Sequence, residues 1–162
     1  MNVLRYCCEA LLDAQAQGDT TDVPLYSLIV ASDLLEQEAV AHSQPWIGWA
    51  ANQVSELHNP LAHAESAAIA TAAAYLQNER LGGYSLISCL EPCLMCSGAI
   101  MHARLDRVYF FCTADKGPGL RYLCNTTRST PMRLNHYPAI FWLSEYNTRC
   151  RAQLQQFFEK KR

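Results

Sequence analysis

The sequence predicts one three-layer α/β/α domain, in which a five-stranded mixed sheet lies between two layers of helices. Segments of helical and strand periodicity follow one another in the order αββαβαβ(α)βα, and such alternation is typical of α/β domains with parallel crossovers. At 162 residues the chain has the size of a single domain. Half of its residues are hydrophobic and 17% are charged, which is ordinary for a globular protein with its own core.

The N-terminal part predicts a helix followed by a β-hairpin. Val3–Gln17 carries apolar side chains at i, i+3, i+4 and i+7, the stripe of a helix that packs on one face, and Gly18 ends it. Residues 25–31 form a continuous apolar run, as expected of a buried strand. Residues 46–52 predict the second strand of the hairpin. The acidic segment 34–40 between the strands fits a short helix or a longer hairpin equally well.

The middle of the chain predicts two strand–helix units. Residues 63–76 are rich in alanine, the best helix former, and predict a helix. A pair of glycines then precedes Tyr84–Leu90, the third strand. Pro92 suits the start of a helix over residues 93–103, because its missing N–H costs little there. Arg107–Cys112 predicts the fourth strand.

The last third predicts a turn-rich segment, a strand and a helix. Residues 113–135 contain several glycine, proline and aspartate turn residues, with a short helix near residues 120–124. Residues 137–143 predict the fifth strand. Ser144 predicts the N-cap of a final helix that reaches Phe158.

Two short segments carry the chemistry, His63-Ala64-Glu65 and Pro92-Cys93-Leu94-Met95-Cys96. One imidazole and two thiolates make three protein ligands for zinc, and a catalytic zinc site leaves its fourth position open. Cys93 and Cys96 lie three residues apart, so both sulfurs share one face of a first helical turn, where ionised thiols are favoured. Glu65 is better placed as a proton shuttle than as a ligand, because it lies only two residues after His63.

The pairing of H-x-E with P-C-x-x-C is the pattern of the zinc-dependent deaminases. We therefore predict one zinc ion held by His63, Cys93 and Cys96, with Glu65 as the catalytic acid and base. The alternative is a closed structural zinc site with a fourth ligand from Cys89, His58 or His102, but such a site has no use for Glu65. The remaining cysteines are expected to be buried free thiols, since they fall mostly in apolar stretches: Cys7, Cys8, Cys89, Cys112, Cys124 and Cys150.

Charge and hydropathy restrict the partners. No run of about 18 apolar residues is present, so no membrane span is expected. The N-terminus lacks the pattern of a secretory signal, so the expected compartment is the cytoplasm. Residues 1–79 hold ten acidic residues and one basic residue, whereas residues 80–162 hold twelve basic and five acidic ones. A nucleic acid would therefore lie against the second half, although a solvated helix face explains the same charges. The residues concerned are Arg121, Arg128, Arg133, Arg149, Arg151 and Lys160-Lys161-Arg162.

Segments 58–65, 90–99 and 102–108 closely resemble the tRNA adenosine deaminases of the TadA type, which have the cytidine deaminase-like fold. The resemblance implies hydrolytic deamination of adenosine to inosine at the wobble position of a tRNA anticodon, by a homodimer with one zinc per subunit. It implies that Asn52 contacts the flipped nucleotide, and that the backbone N–H groups of Ala64 and Cys93 help to hold base and water.

Three departures from the family pattern leave the substrate open. Tyr26 stands where the family has a small residue, about a dozen residues are inserted between Asp33 and Trp46, and the loop 112–119 is altered. The first hypothesis is a tRNA adenosine deaminase, which the basic second half favours. The second is a deaminase of a free base or nucleoside of the guanine or cytosine type. The third is a non-catalytic zinc subunit of a heterodimer, against which Glu65 counts.

Overall fold

The structure is a computed structural model that describes residues 1–18, 21–39, 43–114, 117–131 and 133–161. These residues form five α-helices and five strands. The helices are α1 (Val3–Gln17), α2 (Ala64–Leu76), α3 (Leu94–Ala103), α4 (Leu120–Arg128) and α5 (Asn147–Lys160). The strands are β1 (Tyr26–Ala31), β2 (Trp46–Ala51), β3 (Tyr84–Leu90), β4 (Arg107–Cys112) and β5 (Ala139–Trp142). Short 3₁₀ turns cover Ser32–Leu34 and Ser144–Tyr146.

The strands form one mixed sheet in the order β2-β1-β3-β4-β5. Strand β1 runs antiparallel to both β2 and β3, with Leu28 opposite Ile87. Strands β3, β4 and β5 run parallel, and Ile87 lies opposite Tyr109. The predicted hairpin and five-stranded mixed sheet are confirmed.

Helices cover both faces of the sheet, and each face has its own apolar core. Ile87 and Tyr109 point into the core under α1 and α5. Leu86 and Val108, one residue earlier on the same strands, point into the core under α2, α3 and α4. This alternation follows from the two-residue period of a strand, and it explains why β3 and β4 read as continuous apolar runs. The predicted three-layer arrangement is confirmed.

The C-terminal third differs from the prediction in two places. Helix α4 continues to Arg128, past the predicted end at residue 124, because buried Thr127 packs inward and its hydroxyl donates to the carbonyl of Leu123 at 2.8 Å. Tertiary packing thus outweighs the low helix propensity of threonine. The predicted cap at Ser144 is wrong, since Ser144–Tyr146 form a 3₁₀ turn and α5 begins at Asn147.

The segment between β1 and β2 packs against the start of α1. The backbone N–H of Val3 donates to the carbonyl of Gln37 at 2.9 Å, and that of Leu4 donates to the carbonyl of Leu35 at 3.1 Å. The first N–H groups of a helix have no partner within the helix, so these bonds stabilise its N-terminus. Residues 40–42 of the predicted insertion lie outside the described part of the chain. Among the described residues, no helix is long and apolar enough to span a bilayer.

Candidate active site

Two helix N-termini bring the metal-binding motif together. His63 immediately precedes α2, Cys93 immediately precedes α3, and both have extended backbone conformation. The Nδ1 atom of His63 lies 3.6 Å from the Sγ atom of Cys93. The candidate ligand atoms of His63, Cys93 and Cys96 all lie within 4.8 Å of one another. A tetrahedral zinc ion separates neighbouring ligand atoms by about 3.5–3.8 Å, so the spacing fits zinc.

The two thiols of the motif differ in their protonation. The hydrogen bond from the Cys96 thiol lowers the pKa of Cys93 to about 5, with help from the backbone N–H groups of Cys96 and Met95 and against the effect of burial. The same hydrogen bond, together with burial, raises the pKa of Cys96. One thiolate therefore faces one thiol, and a cation that binds both sulfurs must displace the remaining proton.

Glu65 lies in the first turn of α2 and is only 8% exposed. Its Oε2 atom is 3.7 Å from the sulfur of Cys96. Burial raises the pKa of this carboxyl group. The Glu65 side chain therefore lies beside the cluster of His63, Cys93 and Cys96 and is not one of its members. In this position the carboxyl group can take up and release a proton.

None of the three residues considered as a fourth ligand of a closed structural site joins the cluster. Cys89 is buried in the core on the α1 and α5 side of the sheet, and His58 and His102 are exposed. Within the described part of the chain, His63, Cys93 and Cys96 are the one group of three residues that could hold a metal ion. The donor set is therefore that of a zinc site with an open position, as in catalytic zinc sites.

Two serine hydroxyls hold the residues that precede the helices. Ser66 donates to the carbonyls of Leu61 at 2.6 Å and His63 at 3.0 Å. Ser97 donates to the carbonyl of Cys93 at 2.7 Å. These contacts fix the backbone of two of the candidate ligands, His63 and Cys93, and no pattern in the sequence predicts them.

An ion pair between buried Glu91 and partly exposed Arg121 lies next to the cysteine motif. Glu91 is 4% exposed and accepts hydrogen bonds from the Nε and Nη2 atoms of Arg121, at 3.2 and 2.8 Å. Its carboxylate also accepts from the backbone N–H groups of Arg121 at 3.1 Å and Ala114 at 3.4 Å. A Cβ atom at Gly119 would lie 2.8 Å from this carboxyl group. Glu91 thus ties the segment between β4 and α4 to the start of α3.

Asn52 follows the last residue of β2 and lies next to the segment that precedes His63. Its backbone N–H donates to Leu25 at 2.8 Å, and the next N–H, of Gln53, donates to Ala62 at 3.0 Å. Ala64 is the first residue of α2 and is buried. The structure therefore places Asn52 beside the segment that leads to His63 and Ala64, while the contacts of Asn52 and Ala64 with a substrate stay predictions.

The basic residues of the second half are partly neutralised within the chain. Arg149 forms ion pairs with Glu9 at 2.6 Å and with Asp13 at 2.7 Å, and Arg121 pairs with Glu91. Arg162 lies outside the described residues. The cationic surface is therefore smaller than the sequence suggested.

All six cysteines predicted to be free and buried are free and buried.

Residues 38–112 match the family model described as the cytidine and deoxycytidylate deaminase zinc-binding region. The chain is 34% identical to a tRNA-specific adenosine deaminase of Agrobacterium fabrum, over 94% of this chain and 91% of that protein. It is 31% identical to the tRNA-specific adenosine deaminase of Rickettsia typhi, over 95% of this chain and 96% of that protein.

Solved structures show the same fold. One from a study of A-to-I editing by tRNA:A34 deaminases superposes with a TM-score of 0.68 and 30% identity, covering 89% of this chain and 94% of that chain. A guanine deaminase from Nitrosomonas europaea superposes with a TM-score of 0.65 at 16% identity, covering 95% of this chain and 80% of that chain. At that identity the second likeness concerns the fold alone.

Proposed function

The chain belongs to the family of the tRNA-specific adenosine deaminases, and on that premise we propose that it deaminates adenosine to inosine at the wobble position of a tRNA anticodon. The observation that carries the proposal is the cluster of His63, Cys93 and Cys96 beside the buried carboxyl of Glu65. Relatives that match more than nine tenths of the chain are named tRNA-specific adenosine deaminase.

The reaction needs a metal ion and a proton carrier. His63, Cys93 and Cys96 would hold zinc, and its charge would supply a nucleophilic water near neutral pH. Glu65 takes a proton from the attacking water as the new C–O bond forms at C6 of the purine. It then donates a proton to the leaving amino group, the C–N bond breaks, and adenosine and water are converted into inosine and ammonia. A carboxyl group whose pKa is raised by burial is suited to hold that proton between the two steps.

Substrate contacts are assigned on the family motif. Asn52 contacts the extruded nucleotide, and the backbone N–H groups of Ala64 and Cys93 hold the base and the attacking water. The position of Ala64 and Cys93 at two adjacent helix N-termini supports this part of the proposal, because free N–H groups at such termini bind electron-rich atoms.

Two observations favour tRNA over a free base as the substrate. The relatives named as tRNA-specific deaminases are 31% to 34% identical to the chain, whereas the guanine deaminases of known structure are 16% to 20% identical. The excess of basic residues in the second half also fits a nucleic acid. A non-catalytic subunit would not need Glu65, which is present and buried beside the cluster.

A homodimer is part of the same proposal. Exposed apolar side chains lie in the two segments that carry the ligands, and exposed apolar surface of this kind marks interaction sites. They are Leu57, Leu61, Leu94 and Met95. Analytical ultracentrifugation of the purified protein at micromolar concentration measures the oligomeric state, and a monomer at that concentration contradicts the dimer.

The test is deamination by the purified, zinc-loaded protein. An anticodon stem-loop with adenosine at the wobble position is compared with adenosine, guanine and cytosine, and ammonia is measured together with inosine in the digested RNA. The same stem-loop with inosine at that position is the matched RNA control, and Glu65→Gln is the matched protein control. We expect ammonia from the adenosine stem-loop alone. Turnover of guanine or cytosine without turnover of the stem-loop would overturn the proposal.

A further inference from the structure

A buried carboxylate faces Asn52, the residue proposed to contact the nucleotide. Asp22 is 4% exposed and lies four residues before β1. One of its oxygens accepts a hydrogen bond from the Nδ2 atom of Asn52 at 3.3 Å. The backbone N–H of Ser55 donates to Oδ1 of Asp22 at 2.9 Å and to Oδ2 at 3.1 Å. The backbone N–H of Glu56 donates to Oδ2 at 2.9 Å. The carboxylate thus joins the entry of β1 to the loop that leads from β2 to the zinc ligands.

Asp22 is held in its ionised form. Burial opposes ionisation, but the N–H groups of Ser55 and Glu56 outweigh it and lower the pKa of the carboxyl group. A cation adds to this effect, because Lys161 lies close enough to donate to the carbonyl of Thr21. An ionised carboxylate can only accept hydrogen bonds.

The ionised state determines how the Asn52 amide is turned. Only the NH₂ group of an amide can donate to a carboxylate, so the Nδ2 side of Asn52 must face Asp22 and the Oδ1 side must face away. The backbone N–H of Gln53 donates to the carbonyl of Ala62, so Asn52 lies near the residue that precedes His63. Asn52 therefore presents its carbonyl oxygen, a hydrogen-bond acceptor, on the side away from Asp22.

We propose that Asp22 is a positioning residue, which locks the Asn52 amide so that its carbonyl oxygen accepts a hydrogen bond from a hydroxyl or N–H group of the bound nucleotide. The role of Asn52 toward the nucleotide rests on the proposed function. Asp22 itself touches no substrate in this proposal. The inference adds a specificity rule, since a ligand with an acceptor at that position is rejected.

A double-mutant cycle separates this role from mere support of the loop. In Asp22→Asn the amide oxygen, at the Oδ2 position, can still accept from Ser55 and Glu56. Its NH₂ group, at the Oδ1 position, then faces Asn52 and also the Ser55 N–H that had donated to Oδ1. The Asn52 amide must then turn over and present a donor to the substrate. In Asn52→Asp two carboxylates face each other. In the double variant Asp22→Asn/Asn52→Asp, an amide again faces a carboxylate, and an acceptor is again presented to the substrate.

Each single variant is expected to raise KM about tenfold or more with little change in kcat, because a binding hydrogen bond is lost. The double variant is expected to regain most of that loss. Asn59→Asp is the control for adding a carboxylate to this loop, since the Oδ1 atom of Asn59 accepts from the backbone N–H of Leu61 at 3.0 Å and its side chain does not donate to Asp22. A double variant whose KM is no lower than that of the worse single variant overturns the proposal.

A second measurement keeps this inference distinct from the proposed function. The cycle is run on whichever compound the wild-type protein deaminates, so failure with tRNA refutes the function and leaves the comparison intact. Side-chain amide exchange, followed by nitrogen-15 NMR, needs no substrate. We expect the Asn52 amide protons, assigned by their loss in Asn52→Asp, to be protected in the wild type and to lose protection in Asp22→Asn. Unprotected protons in the wild type overturn the proposal.

Discussion

Removal of the Arg121 side chain tests whether the ion pair with Glu91 stabilises the region around the cysteine motif. In Arg121→Ala the buried carboxylate of Glu91 loses two charged donors, at 3.2 and 2.8 Å. It keeps the two backbone N–H groups of Arg121 and Ala114. The guanidinium group also lies 5.4 Å from the ring centroid of Phe110 and 5.9 Å from that of Trp142, and these contacts are lost too.

The size of the effect follows from burial. Breaking a buried ion pair by removing one partner costs about 3–5 kcal/mol. The side chain of Arg121 is 42% exposed, and two donors to Glu91 remain, so screening reduces the expected loss to about 2–3 kcal/mol. For a chain of this length each kcal/mol lowers Tm by about 2–4 °C. Arg121→Ala should therefore lower Tm by about 4–12 °C.

Thermal unfolding of zinc-loaded protein by calorimetry measures this shift, with urea unfolding as an independent measure of the free energy. Arg80→Ala is the matched control, because Arg80 and Glu79 form an ion pair of 3.8 Å that is largely exposed and should contribute little. In Glu91→Gln/Arg121→Ala the unpaired charge is gone, so the loss should be smaller than in Arg121→Ala alone. An Arg121→Ala shift as small as that of Arg80→Ala, or a less stable double variant, would refute the reasoning.

Three further outcomes are expected. Glu65→Gln should bind one zinc ion per chain and lose about 10²-fold to 10⁴-fold or more in kcat, because the proton carrier is gone; metal analysis and turnover measure this. In zinc-free protein, iodoacetamide should modify Cys93 first, and zinc should block the reaction. The pKa of the Cys93 thiol is about 5, so its rate of alkylation should change little from about pH 6 to about pH 9. The alkylation rate of an ordinary thiol, with a pKa near 8.5, rises over that range. Gly48→Ala should lower the free energy of unfolding by about 1–3 kcal/mol, since the new Cβ would lie 2.4 Å from the carbonyl oxygen of Ala68.

The controls for these variants are clear. Gly82→Ala should leave Tm nearly unchanged, because a Cβ there meets nothing within 4 Å. Turnover of Glu65→Gln at the wild-type rate would remove Glu65 from the mechanism. An alkylation rate of Cys93 that rises steeply toward pH 9 would show that the pKa of this thiol is not lowered. Equal stability of the Gly48→Ala and Gly82→Ala variants would mean that β2 does not pack closely against α2.

Local patterns predicted the regular elements well where strong boundary signals were present. The bounds of Val3–Gln17, Tyr84–Leu90 and Arg107–Cys112 agree with the structure residue for residue, because glycine or proline residues or a change of periodicity mark their ends. The prediction was wrong at the end of α4 and at Ser144. The end of α4 depends on the burial of Thr127, and the start of α5 depends on how that helix packs against the sheet. Helix propensities of single residues carry no information about such packing.

The cluster of His63, Cys93 and Cys96 with Glu65 beside it could be predicted from the sequence, because the chemistry of zinc favours these residue types at this spacing. Asp22 with Asn52, and Glu91 with Arg121, were not readable, since each pair is separated by 30 residues. Their contacts exist only because the strand pairing places the entry of β1 beside the exit of β2, and because the Leu120 N–H donates to the Pro92 carbonyl and holds the start of α4 near the exit of β3. The sequence by itself determined which chemistry the chain can perform. The tertiary structure decided which buried charges hold that chemistry in place, because a hydrogen bond depends on distance in space and leaves no periodic trace along the chain.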